Sequence, residues 1–178
     1  MDSILWVPML ALMKERATSP LLRSAIRDNL ACEAGIEGIS HVELARQFVR
    51  SLGISSAPAE GAASNPIEAV SHWTRFSEPR IGGWLLVVET LVPVLFRAVR
   101  GCFASLPGAD LRYLDEHVDI DANVHAQRLE EALAQVVEDP AAFPEAVQGV
   151  DFGAREVFCA PDALYTKSLW ISAAPAAP

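Results

Sequence analysis

Apolar residues recur along this chain with helical spacing, and no run alternates with the period-2 rhythm of a half-buried strand. Residues 3–16 read as a first helix. Thr18-Ser19-Pro20 then supplies a cap and a first-turn proline, which predicts a second helix over about Pro20–Ala34 with Leu21, Leu22, Ile26 and Leu30 on its apolar face. Gly35 and Gly38 interrupt the pattern, and Ser40 can cap a third helix from His41 to Leu52 that stops at Gly53. The Ala-, Ser-, Pro- and Gly-rich stretch 55–66 is a loop, and Asn65-Pro66 opens a short helix through about Phe76. A long apolar helix is expected over about Gly82–Phe103, with a kink at Pro93, and another over Ala109–Val137. After Pro140 and Pro144 a final helix is expected over about 145–169 with a break at Pro161, and 171–178 is expected to be a flexible tail. The fold class is therefore all-α, with residues 1–170 as a single domain.

At 178 residues and 51% hydrophobic content, the chain can bury a sizeable core. A net charge of −9 argues against nucleic acid or an anionic membrane as partner. The three dispersed cysteines, Cys32, Cys102 and Cys159, read as reduced thiols and point to a cytoplasmic protein. The apolar stretch from Trp84 to Phe96 is too short to cross a bilayer, which takes about 20 residues, and it carries Glu89 at its centre.

The chemistry concentrates in a few polar residues. His117, Asp121 and His125 stand at i, i+4 and i+8. In an α-helix each step of four advances only about 40°, so the three share one stripe. Glu89 sits in an otherwise apolar segment, where an ionised carboxylate is costly unless it is paired, protonated or bound to a cation. Glu33 precedes His41 by eight residues, and Glu37, one turn before His41, is a rival for the same role. Imidazole and carboxylate are donors that iron, manganese and zinc accept. Blander readings stand beside these: a solvated acidic helix face for the His117 stripe, and a buried hydrogen-bonded carboxylate for Glu89. His72 has no nearby partner in sequence and reads as packing or capping. Tyr113, one turn before His117, reads first as core, and the four tryptophans read as core.

In their order the motifs resemble the haem-oxygenase-like diiron oxidases, which share a fold with pyrroloquinoline-quinone synthase and thiaminase II. The markers are Glu33, a glycine-containing break and His41; then Glu89 ahead of Pro93; then His117-x3-Asp121 followed by His125-Ala126. The resemblance runs from about Leu21 to Leu169 and favours Glu33 over Glu37. It implies a bundle of about six to seven helices, without the extra N-terminal helix that longer members carry. The implied metal ligands are Glu33, His41, Glu89, His117, Asp121 and His125. Members often place the last histidine three residues after the aspartate. Here the spacing is four, which a local helical bulge would absorb.

The resemblance further implies two Fe(II) per chain, with manganese possible in their place, and oxidation of a small amino-acid-like substrate by dioxygen. N-oxygenation, desaturation and C–C cleavage are the reactions expected, in specialised-metabolite biosynthesis, with the chain as a homodimer. The alternatives are a cofactorless enzyme of the same fold acting on a heterocycle, and a non-catalytic helical binding or dimerisation module.

Overall fold

The computed structural model describes residues 3–36, 38–54 and 75–155, and the side chains of all of these except 3–5 and 121–123. Every regular element in these segments is helical: α1 (Ser3–Arg16), α2 (Pro20–Ala34), α3 (His41–Ser51), α4 (Glu78–Phe103), α5 (Arg112–Glu116), a π-helix (His117–His125), α6 (Ala126–Val136) and α7 (143–155). The expected loop at 55–66, most of the helix ending at Phe76, and everything after 155 lie outside the described residues, as do Glu37, His72, Trp73 and Trp170.

The caps form as their residue types dictate. Ser19 accepts from the Leu22 N–H with Pro20 in the first turn, and Gly35 closes α2 at φ 70°. Ser40 accepts from the Glu43 N–H to start α3. A Cβ at Gly35 would strike the Ile39–Ser40 backbone, so glycine is needed there for space as well as for its left-handed φ.

α4 runs through the middle of the bundle and packs against α5, the π-helix and α6, while α2 packs against α1, α3 and α6. The core gathers Trp6, Met9, Leu10 and Met13 of α1, Leu22 and Ile26 of α2, Ile81, Trp84, Leu85 and Val88 of α4, and Leu129 and Ala132 of α6. The Trp6 and Trp84 rings meet at 5.3 Å. α7 crosses α4 at close range, because Gly83 lies against the Ala146 backbone and Gly149 against Arg80 and Trp84.

Three expectations need correction. Leu21 is half exposed at 50%; the inward face of α2 is Leu22, Ala25, Ile26, Asn29 and Glu33, about 100° round from Leu21. α4 starts at Glu78 rather than Gly82, with Pro79 in its first turn. Glu78 also takes the backbone N–H groups of Thr18 (2.9 Å) and Ser19 (2.6 Å), so the α1–α2 turn is tied to the start of α4. With 26 residues α4 is long and apolar enough to cross a membrane by length and composition, so its length gives no argument against a span. Within the bundle Ile81, Trp84, Leu85, Val88 and the carboxylate of Glu89 are buried, and 44% of the apolar window in all is enclosed.

Candidate metal centre

One face of α2 carries the chain from core to chemistry: Leu22 and Ile26 are wholly buried in the apolar cluster, and Asn29 and Glu33 continue the same stripe while remaining buried. Glu33 meets His41 at the start of α3, with His41 Nδ1 3.0 Å from Glu33 Oε1. His117, at the start of the π-helix, completes the group: Glu33, His41 and His117 each present a donor atom within 4.8 Å of the others. The His41 and His117 rings lie 4.5 Å apart.

The second group is Glu89 of α4 and His125 at the end of the π-helix, with His125 Nδ1 3.6 Å from Glu89 Oε2. Asn29 donates to Glu89 Oε1 at 2.6 Å. Of the six residues the sequence singled out, five are thus buried in these two groups. The backbone of the sixth, Asp121, lies within the π-helix, and its side chain is outside the described residues.

His117, Asp121 and His125 do not ride on an α-helix. All nine residues from His117 to His125 are π-helical, wider than the local bulge the four-residue spacing suggested. At the entry, the His117 backbone N–H bonds Leu114 O, and His117 Nδ1 lies 2.7 Å from Tyr113 O. A carbonyl only accepts, so Nδ1 carries the proton and Nε2 is left with a lone pair for a metal. Phe96 stacks on the His117 ring at 4.5 Å and Tyr113 meets it edge-on at 4.6 Å. Tyr113 therefore serves the site by its carbonyl as well as by packing.

The electrostatics divide the histidines. Burial, then the neighbouring His41, lowers the His117 pKa to about 4, so at neutral pH it is the uncharged imidazole that a metal needs. Burial also opposes charge on His41, but the Cys32 sulfur and then the Glu33 carboxylate outweigh it and raise its pKa to about 10. Cys32 falls below the usual thiol value because hydrogen bonds from His125 and His41 favour the thiolate against its partial burial.

A linkage follows for the metal-free protein. An ordinary histidine titrates near 6.5, so between about pH 6.5 and 4 the unfolded chain binds a proton at residue 117 that the folded chain refuses. The contribution of His117 to stability is therefore complete above 6.5 and is lost as pH falls towards 4, by at most about 1.4 kcal/mol per pH unit. Urea unfolding of metal-free wild type and His117→Asn between pH 7 and 4.5 should show the shallower decline in the variant. Parallel declines would refute the assignment.

The residues fit a metal ion. His41 is 2% exposed, and its Nδ1, though close to Glu33, is out of line for a hydrogen bond and is left unsatisfied. Two donors bound at about 2.1 Å to one ion stand roughly 3.0–3.4 Å apart at angles of 90–110°, close to the spacing of Glu33 and His41. Beside the donors opens a cleft of about 550 Å³ lined by Cys32, His41, Leu44, Ile120, Val124 and His125 among others. Asp28 and Arg128, ion-paired at 2.6 Å, and Glu116 bring charge to it.

Asn29, Cys32 and Phe96 were not singled out as site residues by the sequence. Asn29 had a signal: an amide one turn before Glu33 on the buried stripe. Cys32 and Phe96 had none, because their roles come from contacts between helices distant in sequence.

The α-helical bundle buries imidazole and carboxylate donors from four of its helical segments, a set that could hold a metal ion through nitrogen and oxygen. The chain belongs to the haem-oxygenase-like family of iron-containing redox enzymes, whose match covers residues 3–156. Neither a curated protein nor a solved structure matches it.

Proposed function

We propose that this chain is a non-haem diiron oxidase or oxygenase that uses dioxygen to oxidise a small amino-acid-like substrate. The observation that carries the reading is the pairing of two buried donor groups, Glu33–His41–His117 and Glu89–His125, beside one cleft. Glu33, His41 and His117 would hold the first iron, and Glu89, Asp121 and His125 the second. Manganese suits the same donors. When bound, the metals supply the electrons and exchangeable positions for dioxygen chemistry.

The chain's own residues set the conditions. Tyr113 O fixes the His117 tautomer, and Asn29 holds one oxygen of Glu89 so that the other faces His125. Leu44, Ile120 and Val124 keep the cleft wall apolar. Arg128 offers a cation to a carboxylate, and Asp28 and Glu116 offer anions to an ammonium group, which is the charge pattern of an amino acid.

Anaerobic Fe(II) titration should reach about two ions per chain, and admitting oxygen should then produce a transient absorbance that His125→Ala lacks. A chain that takes up no iron ends this reading.

A second reading has its own observation. Cys32 Sγ lies 3.7 Å from His41 Nε2, and Glu33 stands at the other ring nitrogen, the sulfur–imidazole–carboxylate order of an activated thiol nucleophile. This would be the cofactorless enzyme. The misalignment of His41 Nδ1 with Glu33 weighs against it, since the carboxylate of such a triad orients the imidazole by a hydrogen bond.

A further inference from the structure

One wall of the cleft is built by the rod of α5, the π-helix and α6. Glu116, Ile120, Val124 and Arg128 follow one another along it at steps of four, and all of them line the cleft. Two apolar residues thus separate an acidic end from a basic one.

The two ends differ in more than sign. Arg128 donates to Asp28 Oδ2 at 2.6 Å, and Arg27 donates to Oδ1 of the same carboxylate at 3.0 and 3.1 Å. Two guanidinium groups share one carboxylate, so that end keeps a net positive charge. Glu116 is half-buried, and among the described residues it makes no hydrogen bond or ion pair. Nor is it part of the Glu33–His41–His117 group, since its neighbour His117 lies about 100° round the helix from it. A carboxylate that lines a cleft without a partner leaves its charge for whatever enters.

Spacing decides what can meet both ends. Twelve residues at about 1.5 Å each separate Glu116 from Arg128 by at most about 18 Å along the axis. The α-amino and carboxylate groups of one amino acid share a carbon and do not span such a gap, even with both side chains leaning in. A stem must lie across Ile120 and Val124 between the two charges.

We propose that Glu116 is a specificity-determining residue that binds a cationic group at the end of the substrate far from its carboxylate. The cleft then selects a carboxylic acid whose apolar stem ends in an ammonium or guanidinium; among amino acids, one with a basic side chain. This rests on the cleft being the substrate site of the oxidase proposed above, and narrows the class of substrate.

L-Lysine and L-norleucine test it, because norleucine is lysine with hydrogen in place of the terminal ammonium. Calorimetry reads their binding to the metal-free chain, and again after anaerobic loading with Fe(II). Wild type should bind lysine at least about tenfold more tightly than norleucine. Glu116→Gln should bring lysine down to the affinity of norleucine and leave norleucine unchanged. Glu130→Gln removes an exposed carboxylate outside the cleft and should keep the preference. Equal affinities in wild type would overturn the proposal without need of any variant, as would binding of neither amino acid in either state. A preference that survives Glu116→Gln would also overturn it. A chain that prefers lysine through Glu116 but takes up no iron would keep this subsite and end the oxidase reading. Iron uptake without any preference would do the reverse.

Discussion

Glu33→Gln should give a folded protein in which the Glu33–His41–His117 group has lost most of its affinity for a metal ion. The amide keeps the volume of the carboxylate in a buried position but removes the anionic donor beside His41 Nδ1. Even partners that only orient a ligand are worth about 10–100-fold in metal affinity, so a ligand itself should cost at least 100-fold. A metal that binds only the folded state stabilises it by about 2.7 kcal/mol at a concentration 100 times its Kd. With affinity reduced 100-fold, the same concentration adds only about 0.4 kcal/mol. Thermal or urea unfolding of wild type and variant, with and without cobalt, measures the difference directly. Equal stabilisation of the two would remove Glu33 from the ligand set.

Gly83→Ala should be the most damaging single-methyl change among the described glycines of α4. A Cβ there would overlap the carbonyl of Ala146, a backbone atom of α7 that cannot rotate aside. Overpacking a well-filled interface costs about 1–3 kcal/mol and sometimes more; with backbone against backbone we expect the upper end, about 3 kcal/mol. Gly101, on the same helix, has nothing within 4 Å of a built Cβ. Gly101→Ala should therefore stabilise by about 0.5–1 kcal/mol, from helix propensity alone. Urea midpoints for the two variants should move in opposite directions. An unchanged midpoint for Gly83→Ala would mean that α4 and α7 do not meet as closely as described.

What the sequence reveals and what it hides divide on physical lines. The bounds of α2 and the start of α3 were readable because Ser19, Pro20, Gly35 and Ser40 act on their own backbone neighbours. The start of α4 was misplaced because the apolar run begins at Ile81, whereas the Ser77-Glu78-Pro79 signal precedes it by a turn. Glu89 was legible as an anomaly, a carboxylate inside an apolar helix. Its partner Asn29 was not, since the two are 60 residues apart and meet only when α2 packs near α4. Glu33, His41 and His117 could be named from their order, but only the fold sets them around one point. The π-helix was foreshadowed by one extra residue of spacing, yet its nine-residue extent was not, because each α-to-π exchange depends on who takes each carbonyl, as Tyr113 O and His117 do.

The winding of that segment also settles a matter of phase. α5, the π-helix and α6 form one unbroken rod whose early part must aim His117 at the donors and whose later part must aim Leu129, Ala132 and Leu133 at the core. In a uniform α-helix every residue turns the rod by about 100°, and Leu129, twelve positions after His117, would point about 120° away from it. A wider turn advances less per residue, so the nine residues between the two faces act as a gear that sets one against the other. Chemistry and packing can then be adjusted separately on the same helix, and the length of the segment from 117 to 125 is as much a part of the site as the side chains it carries.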